Sequence, residues 1–204
     1  MYIPEYFKNE NIEAVKAFID ENGFAILISQ VDGKPWATHI PLILSKDPDG
    51  KDILIGHISK ANNQWKNFEK NMEILAVFSG PHAYISSSWY DHENVPTWNY
   101  LAVHVYGKIR IVEGDTQKKY LSNLVNKYES DMPCPVSVDN MSKEFIENLM
   151  RGIVGFEIEI IDIQAAIKLS QNRDDKNYER IINGLKQQGD INSLEIARIM
   201  NKKK

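Results

Sequence analysis

One cysteine in 204 residues rules out an intrachain disulfide, so the fold has to rest on its hydrophobic core. Cys134 stands between Pro133 and Pro135, with no histidine or basic cluster beside it in sequence to favour a thiolate, and reads as an ordinary loop thiol. No apolar run approaches the roughly 18 residues of a membrane-spanning helix. The opening Met1-Tyr2-Ile3-Pro4-Glu5 lacks the basic and apolar segments of a secretion signal, and a cytoplasmic location is expected. GxGxxG, P-loop, HExxH, GxSxG and paired CxxC patterns are all missing, which sets aside the standard nucleotide, zinc-protease and serine-hydrolase sites. Positive charge is also scarce. A net charge of −4 excludes a broad basic surface that would hold nucleic acid phosphates unaided, and leaves room only for a local basic patch.

What is present is a folded composition. Apolar residues at 43% and charged residues at 25% exclude a disordered chain or a coiled coil. Ile12, Val15, Phe18 and Ile19 recur at helical spacing between Asn9 or Asn11 as a cap and Gly23 as a stop. Phe24 to Ser29, Asp32-Gly33 and Trp36 to Leu44 predict a strand, a tight turn and a strand, because Asp-Gly supplies the positive φ of a hairpin. Pro48-Asp49-Gly50 marks another turn, and Ile53 to His57 a third strand. Ser59 is expected to cap a short helix carrying Trp65 and Phe68, followed by strands at Ile74 to Phe78, His82 to Ile85 and Trp98 to Val112. Helices are expected at Asp115 to Tyr128 and Ser142 to Met150, then a long strand from Ile153 to Lys168. Two more helices should cover Asp174 to Lys186 and Ser193 to Met200, with Asn192 and Glu195 at capping-box spacing. Strands joined by short hairpins, without regular strand-helix alternation, predict an α+β fold: a small closed or partly closed antiparallel barrel with helices at its ends.

Three places have the chemistry of a ligand site. At Gly56-His57-Ile58-Ser59-Lys60 a strand gives way to a helix, where free backbone N–H groups, a hydroxyl and a cation would suit a phosphate. An ordinary serine cap with a solvated lysine fits the same residues. Between Gly80 and Gly107, aromatic residues alternate with histidine, serine and asparagine, including His82, Tyr84, Trp89, Tyr90, Trp98 and Asn99. Rings that stack beside amides and hydroxyls that fix heteroatoms suit a flat heteroaromatic ligand, and equally an aromatic barrel wall. The run Lys168-Leu169-Ser170-Gln171-Asn172-Arg173 is a plain polar loop or a set of donors for an anion or a ring edge. His82, Asp91, His92 and His104 lack ligand spacing, so structural or organic-ligand roles are read for them and no metal is assigned.

The ordered set of Met1 to Phe7, Ala37-Thr38-His39-Ile40-Pro41-Leu42, Gly56 to Asn62, the Gly80 to Gly107 stretch, Gly155-Phe156-Glu157-Ile158 and Lys168 to Arg173 resembles the PaiB-type FMN-binding negative transcriptional regulators. The resemblance runs from residue 1 to about residue 185, leaving 186–204 as a C-terminal helix and basic tail. It implies an antiparallel FMN-binding split β-barrel with peripheral helices, a homodimer with FMN at the subunit interface. In that arrangement Ser59 and Lys60 would hold the phosphate, with His57, Asn62, Asn63 and Trp65 close by. Thr38, His39, Ile40 and Pro41 would lie along the isoalloxazine, and the partner subunit would bring Trp98, Asn99, Lys168, Gln171 and Arg173. The departure from related oxidases is a phosphate site with the single cation Lys60.

The function implied is a homodimeric regulator whose partners are promoter DNA and a flavin. The alternatives are an FMN-dependent oxidoreductase, with His39, His82 or His104 as proton donor, and a module for haem or another planar ligand. No helix-turn-helix is evident. Ser193 to Lys204, with Arg198 and the lysine tail, is the one segment that could serve as a basic helix, and reads better as a solvated one.

Overall fold

The structure is a computed structural model that describes residues 1–70 and 73–202. Lys203 and Lys204 of the expected basic tail lie outside the described residues. The helices are α1 (Ile12–Glu21), α2 (Gly114–Glu129), α3 (Lys143–Arg151), α4 (Asp175–Gln188) and α5 (Ile191–Lys202). The strands are β1 (Phe24–Val31), β2 (Lys34–Pro41), β3 (Ile43–Lys46), β4 (Asp52–Ser59), β5 (Glu73–Ile85), β6 (Thr97–Val112) and β7 (Ile153–Lys168). They form one seven-stranded sheet in the order β2-β1-β5-β6-β7-β4-β3. Among the described residues no helix is long and apolar enough to cross a membrane.

The chain divides into two compact units. The larger comprises Ile19–Phe78 and His104–Ile163. Its first hairpin turns on Asp32 and Gly33, with φ of 51° and 75°, the pair of positive angles that a two-residue turn needs to follow strand twist. The turn sets the β1–β2 register, from Val31 opposite Lys34 to Phe24 opposite Pro41. The expected second strand is interrupted at Leu42, so β2 and β3 are separate, although the Leu42 N–H still donates to the Gly23 carbonyl at 2.8 Å in the register of the β1–β2 pair. β4 pairs antiparallel with β7 from Ile53 opposite Glu159 to Ser59 opposite Ile153. The core of this unit includes Leu27, Leu54, Phe68, Phe78, Phe156 and Ile158. Phe68 and Phe156 meet edge to face at 5.5 Å.

The smaller unit comprises Met1–Phe18, Ser79–Val103 and the chain from Gln164 onward. α4 and α5 bury Ile181, Leu185, Ile196 and Met200 against Ile85 and Leu169. Each such aliphatic side chain removed from water contributes about 1.5–3 kcal/mol, which fixes the α4–α5 pair to this unit. α4 is capped by Asp174, whose carboxylate accepts from Asn177 N at 2.9 Å. α5 starts two residues earlier than expected. Asp190, not Asn192, is its cap, accepting from Ser193 N at 3.1 Å and from Ser193 Oγ at 2.5 Å. The amino-terminal segment is tied down by an Asn9 N–H bond to Ala165 O at 3.0 Å and a bridge between Lys8 and Ala166.

β5 and β6 are longer than local sequence implies. The expected strands at 74–78 and 82–85 are one strand, because Gly80 and Pro81 sit within a ladder that continues through them. β6 keeps the alternation expected of it, with Asn99, Leu101, Val103, Val105 and Ile109 buried and Trp98, His104 and Tyr106 turned the other way.

Candidate functional site

In the larger unit, the turn after β4 is built from its own side chains. Ser59 Oγ accepts from Ala61 N at 3.3 Å, and the Ser59 carbonyl accepts from Asn62 N at 2.9 Å. The next element is a 3₁₀ helix, Asn63–Lys70, and its first turn is capped by Asn62, whose Oδ1 accepts from Gln64 N at 3.0 Å. Ser59 therefore shapes the turn and does not cap the helix as expected. The Trp65 indole N–H folds back onto the Lys60 carbonyl at 2.9 Å. The Lys60 ammonium is exposed and has no partner among the described residues, so it is available to an anion. Lys60 and Trp65 line a cleft of about 260 Å³ with Val112, Gln117, Met150 and Gly155.

The candidate residues of β2 are spread over both faces of the strand, as its period of two requires. Thr38 is half-buried, His39 exposed, Ile40 buried and Pro41 half-buried. Thr38 is held by Gln64 and Asn62. Its hydroxyl donates to Gln64 Oε1 at 2.5 Å and accepts from Asn62 Nδ2 at 2.9 Å. Phe24 lies beside His39 with ring centroids 6.3 Å apart. His57 is half-buried on β4, opposite Gly155 of β7, and burial lowers its pKa below the usual imidazole range. Asn63 is exposed at the start of the 3₁₀ helix. This unit thus brings together Thr38, Asn62 and Gln64, and separately Ser59, Lys60 and Trp65. A second, open groove of about 510 Å³ is lined by Ile28, Ser29, Pro35, Leu75 and Tyr106.

The candidates of the smaller unit fall into two kinds. Trp98 is 52% exposed on β6, and two neighbours crowd its indole: Tyr84 edge-on at 5.8 Å and His82 at 6.1 Å. It is an aromatic surface open to a ring. Asn99, the next residue, points the opposite way and is fully buried, its Oδ1 accepting from Ser170 Oγ at 3.0 Å and its Nδ2 donating to Met200 Sδ at 3.6 Å. The Lys168 ammonium donates to Thr97 Oγ1 at 2.6 Å and lies over the Phe7 ring at 5.6 Å. Burial first, and then the charge of Arg173, lowers its pKa. The Gln171 amide donates to Tyr6 O at 2.9 Å and Ile167 O at 2.6 Å, and the Arg173 guanidinium stacks over Tyr90 at 5.2 Å. This run is therefore an ordered turn, with Ser170 at a positive φ of 57°, and not a loose polar loop.

Gln64 was not singled out in the sequence. A glutamine between asparagines and a tryptophan reads as part of a solvated helix face, yet it is completely buried. Its Nε2 donates to Leu27 O at 3.1 Å and Ser29 Oγ at 3.0 Å. No local signal distinguishes it. The helix Asn63–Lys70 is too short for a period to declare which side faces in.

In the larger unit, an ammonium with no partner among the described residues, a hydroxyl in the same turn, and the half-buried Thr38 hydroxyl and Asn62 amide are compatible with a phosphorylated ligand; in the smaller unit, the exposed Trp98 indole is compatible with a flat ring. Comparison with known proteins agrees. The fold is shared with the FAD and heme binding protein of Mycobacterium smegmatis, at a TM-score of 0.64 and 13% identity, covering 87% of this chain and 80% of that one. It is likewise shared with the flavocytochrome Anf3 of Azotobacter vinelandii, at a TM-score of 0.61 and 17% identity, covering 87% and 78%. The chain has the antiparallel split β-barrel fold with peripheral helices. Residues 1–162 match the family described as "Putative FMN-binding domain", and the chain belongs to that family, with FMN as its cofactor. It is 46% identical over 203 residues, 100% of this chain and 98% of the relative, to Protease synthase and sporulation protein PAI 2 of Bacillus subtilis (strain 168). It is also 36% identical over 95 residues to the Saccharomyces cerevisiae protein YKL070W, covering 44% of this chain and 55% of that one.

Proposed function

We propose that this chain is a cytoplasmic, homodimeric, FMN-binding negative regulator of transcription of the PaiB type. The observation that carries the reading is the 46% identity to PAI 2 across the full chain. In this reading the flavin phosphate rests on Ser59 and Lys60, with His57, Asn63 and Trp65 beside it. Thr38 to Pro41 and Asn62 follow the ring system. The partner subunit presents Trp98, with Asn99 behind it, and the turn from Lys168 through Gln171 to Arg173. FMN on a subunit boundary would make the dimer, and any DNA contact that depends on it, sensitive to flavin.

The cationic side chains of α5 do not form a free basic row, since Arg198 Nε is bonded to Glu195 at 2.7 Å. DNA recognition would therefore depend on how two copies assemble and not on one helix. The test is sedimentation with and without FMN, followed by a mobility-shift assay on the chain's own upstream DNA. A dimer that retards that DNA in a flavin-dependent way is expected. A protein that ignores DNA in both states, yet oxidises NADH or NADPH faster than free FMN does, would replace the regulator by an oxidoreductase.

A further inference from the structure

Gln64 joins three elements through one fully buried amide, and its polarity can be assigned without ambiguity. The Leu27 carbonyl can only accept, so the group facing it at 3.1 Å is Nε2, and Oε1 faces Thr38. A carbonyl-type oxygen can only accept, so the Thr38 hydroxyl must donate to it, at 2.5 Å. The same reasoning applies to Asn62. The Gln64 N–H can only donate, so Asn62 turns Oδ1 towards it at 3.0 Å and leaves Nδ2 to donate to Thr38 Oγ1 at 2.9 Å. The three residues close a ring of one-way hydrogen bonds, completed through the Gln64 main-chain N–H.

What the ring leaves over is specific. Thr38 has given its only proton and accepted one bond, so a single lone pair remains on its oxygen. Among the described residues, Asn62 keeps one uncommitted N–H on Nδ2. Both residues are half-buried and so still reach solvent, whereas Gln64 does not. One acceptor and one donor held side by side match a group that offers a donor beside an acceptor. A phosphate, which offers acceptors alone, does not match. The pyrimidine edge of the isoalloxazine has that character, with the N3–H between two carbonyls.

We propose that Gln64 is a positioning residue that fixes Thr38 and Asn62 as an acceptor and donor pair for the imide edge of the flavin ring. This rests on the flavin site proposed above. Gln64 touches no cofactor itself. Its burial and its bonds to Leu27 and Ser29 keep the pair from reversing polarity, since a hydroxyl or amide free to rotate would serve either sense.

The experiment compares FMN with 3-methyl-FMN, in which the imide donor is blocked, by fluorescence quenching and by the position of the flavin absorption bands. Wild type should bind FMN roughly ten-fold more tightly than the methylated form, the worth of one hydrogen bond. Thr38→Val should lose that preference and Thr38→Ser should keep it. Gln64→Met, close in volume and apolar, should lower the preference while the circular dichroism spectrum stays native. Equal binding of both flavins by wild type overturns the imide assignment. A Thr38→Val protein with unchanged FMN affinity, band position and preference places Thr38 away from the flavin and so overturns the underlying site. A Gln64→Met protein that keeps the full preference, where Thr38→Val loses it, removes Gln64 alone. If Gln64→Met does not fold, Ser29→Ala, which removes one of the three bonds at Nε2, to Leu27 O, Ser29 Oγ and Trp36 O, should weaken the preference; an unchanged preference counts against Gln64.

Discussion

The Tyr120 hydroxyl donates to the Glu157 carboxylate at 2.6 Å, tying α2 to the middle of β7. Glu157 is 4% exposed, and its other oxygen accepts from Arg110 Nε and lies 2.6 Å from the Arg110 guanidinium. Burial first, and the carboxylate next, push the Tyr120 pKa well above the ordinary phenol range, so the proton stays on the tyrosine. Arg110 is largely exposed, so its side of the pair is screened by solvent. The Tyr120 bond is the one that matters for burial. Tyr120→Phe should destabilise by about 1–3 kcal/mol, because a buried carboxylate oxygen is left unsatisfied, while Arg110→Gln should cost less. Urea unfolding of the two variants checks the order, and a larger loss for Arg110→Gln would refute it.

His57 gives the fold a pH dependence of known sign. Burial holds its pKa below the ordinary 6.5, so the folded state resists a proton that the unfolded chain accepts. The stabilisation is complete above about pH 6.5 and is lost as the pH falls through that value towards the depressed one. His104 is shifted in the same direction, again chiefly by burial. The melting temperature of wild type should therefore drop more steeply between about pH 6.5 and pH 5 than that of His57→Gln. Parallel curves would show that His57 is not the group responsible.

Lys60 is the one cation placed in the turn after β4, and it has no partner among the described residues. Lys60→Ala should weaken FMN binding by roughly ten-fold and flatten its dependence on salt, because a charge-assisted bond to phosphate is lost. Lys118→Ala, exposed on α2, serves as the control. Equal affinities for the two proteins would remove the phosphate assignment.

Trp98 separates a cofactor role from a structural one. It is half exposed, with Tyr84 edge-on and His82 tilted beside its indole, so Trp98→Ala should leave the melting temperature of the flavin-free protein nearly unchanged. Flavin affinity and dimerisation should both fall. A dimer that keeps its FMN affinity would take Trp98 out of the site.

Gly184 is required by packing. A Cβ there would lie 2.4 Å from Cδ2 of the Trp89 indole, and the main-chain carbonyl of Trp89 is held by Arg180 Nε at 2.6 Å. Gly184→Ala should cost about 1–3 kcal/mol by forcing α4 away from the 3₁₀ turn Ser87–Trp89. Thermal unfolding measures this directly, and an unchanged midpoint would show that the indole can move.

Much of the fold was legible in residue order. The Asp32-Gly33 turn, the alternation along β6 and the Asn11 cap, whose Oδ1 accepts from Ala14 N at 3.1 Å, follow from φ preferences and periodicity that act within a few residues. The ordered motifs pointed to the family and to FMN. Tertiary structure decided what local patterns cannot contain. Whether Gly80 and Pro81 end a strand depends on neighbours far away in sequence that continue the ladder. Whether Asn99 faces a ligand or the core depends on Ser170 and Met200, 71 and 101 residues away. Gln64 looked like a solvated polar side chain, and it became a buried junction because Leu27, Ser29 and Thr38 supply partners that make burial of an amide affordable. Backbone preference and side-chain period are properties of the sequence by itself; the partners that satisfy a buried polar group are assembled only by the fold.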